Sequence, residues 1–361
     1  MSTQDAFNSD RRRRGVAVWL LICCALIYAM IVLGGITRLT GSGLSMVNWN
    51  PIMGVVPPLD DAAWRDTFAE YQKFPEYQIL KEEIGLNEFK RIFWIEYAHR
   101  LLGRTIGLVF LFPFLYFFAT RCIQGSLAAK LGAVFLLGAV QGGLGWYMVQ
   151  SGLAQDPRVS QYRLTLHLFM AVVIYGYLLW VALGLSVRDK RRPPRRVTGF
   201  HWSHVNLLLV VLMFISGGFV AGTRAGFVYN TFPHMNGYWW PPEIFILEPV
   251  WRNFFENVVT IQFVHRLGAL TTAMAVGMFW ILIVTRSSEP RHRTAAHWLT
   301  GVSVMQVILG VAALVFRVPV VLGVLHQAGA VALITLALYV VYVMRNASDE
   351  SLPTSASAAK I

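Results

Sequence analysis

The stretch Ile95–Arg104 reads IEYAHRLLGR, and Ile261–Leu270 reads IQFVHRLGAL. In each, a histidine followed by Arg-Leu sits inside a long apolar run. The polar neighbour three residues earlier differs: Glu96 before His99, Gln262 before His265. An ionisable residue in a run of membrane length is costly and usually functional. Its recurrence says that the surrounding segment has itself been repeated.

The repeat extends on both sides. Gln141 of VQGGLGW recurs as Gln306 of MQVILGV, and His167 of LTLHLFMAV recurs as His326 of GVLHQAGAV. The pair Gly34–Gly35, in VLGGITRLTGSGLS, recurs as Gly217–Gly218, in FISGGFVAGTRAGF. The interval is nearly constant from His99/His265 to Gln141/Gln306 and changes elsewhere, as a duplicated unit with loops of unequal length requires. Around these landmarks lie eight apolar runs of about the 20 residues that cross a bilayer: 16–37, 91–120, 127–150, 160–187, 201–222, 256–285, 294–315 and 318–344. The expected fold is an all-α membrane protein whose eight transmembrane helices form two tandem four-helix bundles, 16–190 and 191–345. Four helices per copy keep both copies in one orientation, so a pseudo-two-fold axis should run along the membrane normal. Residues 1–15 and 346–361 read as tails, disordered at 1–10 and 346–361.

Composition agrees. Of 361 residues 56% are hydrophobic and 14% charged, with mean hydropathy +0.52; soluble domains carry about a quarter charged residues. The net charge of +12 would suit nucleic acid, but its distribution points elsewhere. With the N-terminus inside, the inner side collects Arg11 to Arg14, Arg121, Lys130, the cluster Arg188 to Arg196, Arg286, Arg291, Arg293, Arg345 and Lys360. That is the positive-inside pattern, and it puts both termini in the cytoplasm. Cys23, Cys24 and Cys122 offer no metal-ligand spacing and read as small buried residues. The outer loop 38–90 is acidic, with a helix start at Asp60 or Asp61. The outer loop 223–255 is aromatic and Pro-rich and reads as an interfacial lid.

His99, His167, His265 and His326 lie on the second, fourth, sixth and eighth runs, which all pass from outside to inside. Each is roughly 10–12 Å below the outer surface at 1.5 Å per residue. Each copy thus offers two histidines at one level on two parallel helices, which suits axial ligation of a haem iron within a bundle. Gly103, Gly107, Gly142, Gly143 and Gly145 would let a flat ring approach. A di-iron carboxylate centre needs several intramembrane acids, and Glu96 stands alone. Arg100 and Arg266 follow the histidines, and Arg38, Arg224 and Arg317 lie at outer helix ends; all five suit haem propionates. Glu96 shares a helix face with His99. Burial favours its protonated form, from which it would exchange a proton with a reacting group. Gln262 has that shape without the charge, so one site does chemistry and the other does not. His201, His204, His234, His292 and His297 fall at helix ends or loops and read as interfacial or solvated.

The segments GGITRLTGSGLSMVNWNP, EYAHRLLGR, LTLHL, QFVHRLGA and GVLHQAGA resemble the haem A synthase family over about residues 16–344. The resemblance implies oxidation of a ring methyl of haem O to a formyl group by two hydroxylations and loss of water, supplying haem A to terminal oxidases. It implies a resident haem b on His265 and His326 and the substrate haem on His99 and His167. Glu96 would act in proton transfer or charge stabilisation. The haem O-forming farnesyltransferase and oxidase assembly factors become plausible partners, and a bacterial inner membrane the location. Some members carry a cysteine pair in the first outer loop; this chain has none there, so no disulfide role carries over. Two other classes remain open on the residues: a di-haem cytochrome b exchanging electrons with quinone, and a transporter with parallel repeats.

Overall fold

The computed structural model describes residues 3–48, 53–154, 156–186 and 199–345. The expected boundary between copies at 190/191, the basic cluster Arg188 to Arg196 and the tail 346–361 lie outside them. The helices are α1 (Thr3–Leu39), α2 (Asp61–Gln72), α3 (Leu86–Ala119), α4 (Gly125–Gly152), α5 (Gln161–Ser186), α6 (Phe200–Thr223), α7 (Asn253–Glu256), α8 (Val258–Arg286), α9 (Pro290–Val315) and α10 (Val320–Arg345). All but α2 and α7 are long and apolar enough to cross a membrane, and these are the eight runs read from sequence. Helix α1 starts at Thr3, so the segment expected as an N-terminal tail continues the first helix instead.

Local chemistry sets the ends. Asp60 caps α2 by accepting from Ala63 N at 2.8 Å, and Asn257 caps α8 by accepting from Val259 N at 2.9 Å; each satisfies an otherwise orphaned donor. Pro290 opens α9, where its missing N–H costs nothing. Helix α3 begins five residues earlier than the sequence suggests. Its outer extension carries Phe89 and Phe93 into a cluster with Trp64 and Tyr71 of the first outer loop, so the apolar packing that holds the extension is extramembrane.

The spanning helices pack in two rings. In the first, α1 neighbours α3, α3 neighbours α4, α4 neighbours α5, and α5 returns to α1. In the second, α6, α8, α9 and α10 follow one another and α10 returns to α6. The rings meet through α1 against α10 and α5 against α6 and α10. Tyr28 OH donates to Ala328 O at 2.8 Å and Gln327 Nε2 to Ile31 O at 2.6 Å across that junction. Glycine makes the approach feasible: a methyl at Gly35 would lie 2.7 Å from Gln327 Oε1, and one at Gly218 2.9 Å from Thr165 Oγ1. Such small residues let membrane helices close on one another. Along the diagonals, α3 with α5 and α8 with α10, close packing is lacking. These are the helices that carry the four histidines.

Candidate haem sites

Each histidine ring rests on a glycine of a neighbouring helix. A methyl at Gly34 (α1) would stand 3.2 Å from His99 Cε1, and one at Gly145 (α4) 3.0 Å from His167 Cε1. In the other ring, one at Gly217 (α6) would stand 3.5 Å from His265 Cε1 and one at Gly310 (α9) 2.8 Å from His326 Cε1. Glycine inside a helix costs about 0.5–1 kcal/mol relative to alanine; at Gly34, Gly145 and Gly310 a Cβ would crowd the imidazole, whereas at Gly217 it would make ordinary contact. Gly145 therefore seats a histidine rather than a flat ring. Gly103 faces Met30, while Gly107, Gly142 and Gly143 have open space around the position of a Cβ.

The two glutamines noticed as a repeat have one task. Gln141 Nε2 donates to His167 O at 2.9 Å, and Gln306 Nε2 donates to His326 O at 2.9 Å. Each ties the backbone of a histidine to the preceding helix. The second pair, His265 and His326, lines one cavity. Nδ1 of His99, His167 and His326 is buried with no hydrogen-bond partner among the described residues. His265 Nδ1 lies 3.1 Å from Ser216 Oγ, an orienting contact the sequence reading missed. A metal-bound imidazole is commonly held this way through its second nitrogen.

Between α8 and α10 lies a cavity with about 1650 Å³ of empty space, counting its mouth. Its wall includes His265, His326, Gln306 and Gly310, while Arg38, Arg224 and Arg266 also line it. Phe232 of the aromatic loop lines it too, as the lid reading expects. Two imidazoles on facing helices, the unpartnered buried Nδ1 of His326 and a mostly apolar slot fit a haem held by His265 and His326.

Glu96 is 3% exposed and fully engaged. Its Oε2 accepts from Ser45 Oγ at 2.7 Å and Met46 N at 2.9 Å; its Oε1 accepts from Arg100 Nη2 at 2.6 Å and Nε at 3.0 Å. Four donors, two of them from a guanidinium, suit a charged carboxylate. A protonated carboxyl, expected from burial alone, would bring a donor into this ring of donors. Gln262, 3% exposed, meets the opposite chemistry: its Nε2 donates to Ala225 O at 2.8 Å, and its Oε1 accepts from Arg266 Nη2 at 3.1 Å. The loop after α1 presents donors and the segment after α6 presents a carbonyl, so acid and amide each match what faces them.

The arginines after the histidines are committed as well. Arg100 also donates to Met46 O at 2.6 Å and Asn48 O at 3.2 Å. Arg266 donates to Tyr229 O at 2.6 Å and Thr231 O at 2.8 Å. Both fasten outer loops to the histidine helices; Arg266 Nε stays buried without a partner among the described residues, and Arg266 lines the cavity. Of the remaining histidines, His234 stacks edge-on against Trp239 at 4.1 Å, and His297 accepts from Trp280 Nε1 at 2.9 Å. His292 is buried beside Ser287 Oγ at 3.1 Å, not solvated as its position near a helix end suggested.

The chain matches the COX15-CtaA family, described as cytochrome oxidase assembly protein, over residues 17–338. It is 48% identical to a heme A synthase of Nitrosospira multiformis, covering 92% of this chain and 94% of that protein. A heme A synthase of Nitrosomonas eutropha is also 48% identical, over 90% of this chain and 92% of its own. Heme A synthase COX15 of Arabidopsis thaliana is 41% identical over 98% of this chain and 79% of its own length.

Proposed function

The chain belongs to the haem A synthase family of cytochrome oxidase assembly proteins, and from that premise we propose that it oxidises a ring methyl of haem O to formyl in two hydroxylations followed by loss of water. The observation that carries the proposal is the arrangement of histidines. Two pairs project from helices that face each other across a four-helix ring without close packing, and one pair lines a single cavity between α8 and α10.

In this reading His265 and His326 hold a haem b, which when bound supplies electron transfer. Ser216 fixes the His265 ring and Gln306 the backbone of His326. His99 and His167 hold the substrate haem, which enters with its prenyl tail in the membrane. Glu96, one turn from His99, places a fixed negative charge beside that pair. Arg100, Ser45 and Met46 N keep the charge in one position, where it stabilises positive charge developing on the reacting carbon or receives its proton. Gln262 puts no charge beside the other pair, so methyl oxidation belongs to the first ring. The matching order of neighbours in the two rings supports a pseudo-two-fold axis along the membrane normal, and the distribution of basic residues supports cytoplasmic termini in a bacterial inner membrane. The haem O-forming farnesyltransferase and oxidase assembly factors are the natural partners of such an enzyme.

The test is mass-detected chromatography of haems from a host that makes haem O and lacks its own haem A-forming enzyme. Haem A or its hydroxylated precursor should appear with this chain and vanish with Glu96→Ala while the protein keeps its haem. Unchanged haem O beside a well-folded red protein would leave the non-catalytic di-haem cytochrome as the reading.

A further inference from the structure

Two arginines that line the second cavity differ from the third, Arg266, whose fork is largely held by loop carbonyls. Arg38 ends α1 and thus comes from the first ring, yet it lines the cavity of His265 and His326. Arg224 follows α6 in a left-handed conformation, φ 58° and ψ 27°, and lines the same cavity. Arg100, Arg252 and Arg158 each have a carboxylate, and Arg266 has loop carbonyls and Gln262. The side chains of Arg38 and Arg224 have no hydrogen bond or ion pair among the described residues, and the charge of Arg224 bears on Arg38. Two cations that repel one another at the edge of an apolar slot are unfavourable unless an anion joins them. Guanidinium forks match carboxylates through paired N–H···O bonds. The imidazoles of His265 and His326 face the interior of the same slot.

We propose that Arg38 and Arg224 form a carboxylate clamp for the macrocycle held between His265 and His326, with one jaw contributed by each ring of helices. The ligand class is a metalloporphyrin bearing two free carboxylates on its outer edge. Arg38 thereby makes the second site incomplete without the first half of the chain, and binding of the porphyrin ties α1 to α6. The inference rests on the reading of that cavity as a haem site.

The test uses the full-length protein, reconstituted with haem b or with haem b dimethyl ester, whose carboxylates are blocked. Dissociation is followed optically with apomyoglobin as acceptor. Haem b should leave the unaltered protein roughly 10- to 100-fold more slowly than the ester, the range expected for charged hydrogen bonds. In Arg38→Gln and in Arg224→Gln the two porphyrins should leave at more nearly equal rates, and Arg38→Lys should restore part of the difference by charge alone. Equal rates for haem b and its ester from the unaltered protein overturn the clamp and leave the haem site standing. A variant that discriminates as strongly as the parent also overturns it and points to another anion, such as a lipid phosphate, at these arginines. Failure of the unaltered protein to hold either porphyrin overturns the clamp together with the haem reading.

Discussion

The glycine seats allow a graded experiment within a single site. Gly217 and Gly310 lie on opposite sides of one cavity, behind His265 and His326 respectively. A methyl added at Gly310 would come to 2.8 Å from His326 Cε1, about 0.7 Å inside ordinary carbon contact at ~3.5 Å. The same change at Gly217 gives 3.5 Å, which is ordinary contact. Gly310→Ala must push the imidazole toward the cavity or spread α9 from α10. Overpacking of this size costs about 1–3 kcal/mol, or roughly 5- to 150-fold in haem affinity if the strain falls on the ligated state. Gly217→Ala should cost almost nothing, or gain the ~0.5–1 kcal/mol by which alanine exceeds glycine in a helix.

The assay is haem retained per protein after purification, with the low-spin optical and paramagnetic resonance spectra of two-histidine ligation. Gly310→Ala should lose haem or show a distorted signal, and Gly217→Ala should match the parent. Gly277→Ala in α8 and Gly301→Ala in α9 are controls, because a Cβ at either meets nothing within 4 Å. In the first ring, at 3.0 Å and 3.2 Å, Gly145→Ala should harm substrate-haem binding more than Gly34→Ala. If the Gly310 and Gly217 variants behave alike, the glycines are not seats for these rings and the reasoning fails.

Three other outcomes follow from contacts already described. Gln262→Glu would aim a carboxylate oxygen at Ala225 O in a buried place, at a cost of about 1–3 kcal/mol; a lower thermal midpoint in detergent, with Gln262→Met milder, is expected. Gln306→Leu removes the bond to His326 O, worth about 0.5–1.5 kcal/mol, so haem b should dissociate roughly 2- to 12-fold faster, and an unchanged rate would assign that bond no part in holding the site. In the outer loop, burial pushes the Glu76 carboxyl above its ordinary 4.5, with Lys81 and Tyr71 opposing in part. A raised value in the folded state means that the group's contribution is complete below pH ~4.5 and is lost as pH rises through the folded value. Hydrogen exchange in α2 should therefore quicken over that window and lose the dependence in Glu76→Gln; the same slope in both proteins would put its cause elsewhere.

Periodicity and spacing made some parts of this protein legible before any coordinates. Eight runs long enough to span, and four histidines at matched depth, follow from hydropathy and from counting along a helix, both local properties. The start of α2 at Asp60 was legible for the same reason. What the sequence hid depends on which side chain meets which backbone. Burial alone suggested a neutral Glu96, because Ser45 and the Met46 N–H are some fifty positions away and nothing in the string brings them to its oxygens. Arg100 and Arg266 look like propionate ligands when read as the neighbours of histidines, and the loop carbonyls that engage them are equally distant in sequence. Ser216 could have been noticed: it immediately precedes the Gly217–Gly218 pair, and the matching position in the other copy is Leu33. That difference gives one of the four histidines a hydroxyl and leaves its counterpart without one.

The exchange of Glu96 for Gln262 shows how a duplicated fold becomes asymmetric without changing its scaffold. Both residues take the i, i+3 position before a histidine, and both engage an arginine one turn further on. What differs is the chain that leaves the preceding helix: Ser45 and Met46 N donate in one copy, and Ala225 O accepts in the other. A carboxylate is satisfied by the first and an amide by the second, so the acid could not be lost from one site, or gained in the other, by a single substitution without leaving a buried polar group unmatched. The placement of the acid beside His99 is therefore built into the loop as much as into the helix, through Ser45 and Arg100. A structural role alone would account for the hydrogen bonds, but an amide with a rearranged loop would serve that purpose too, as the second copy shows. Among the described residues only the first copy sets an acidic side chain beside a histidine pair, held by Arg100, Ser45 and Met46 N, and that acid is what separates the two sites chemically.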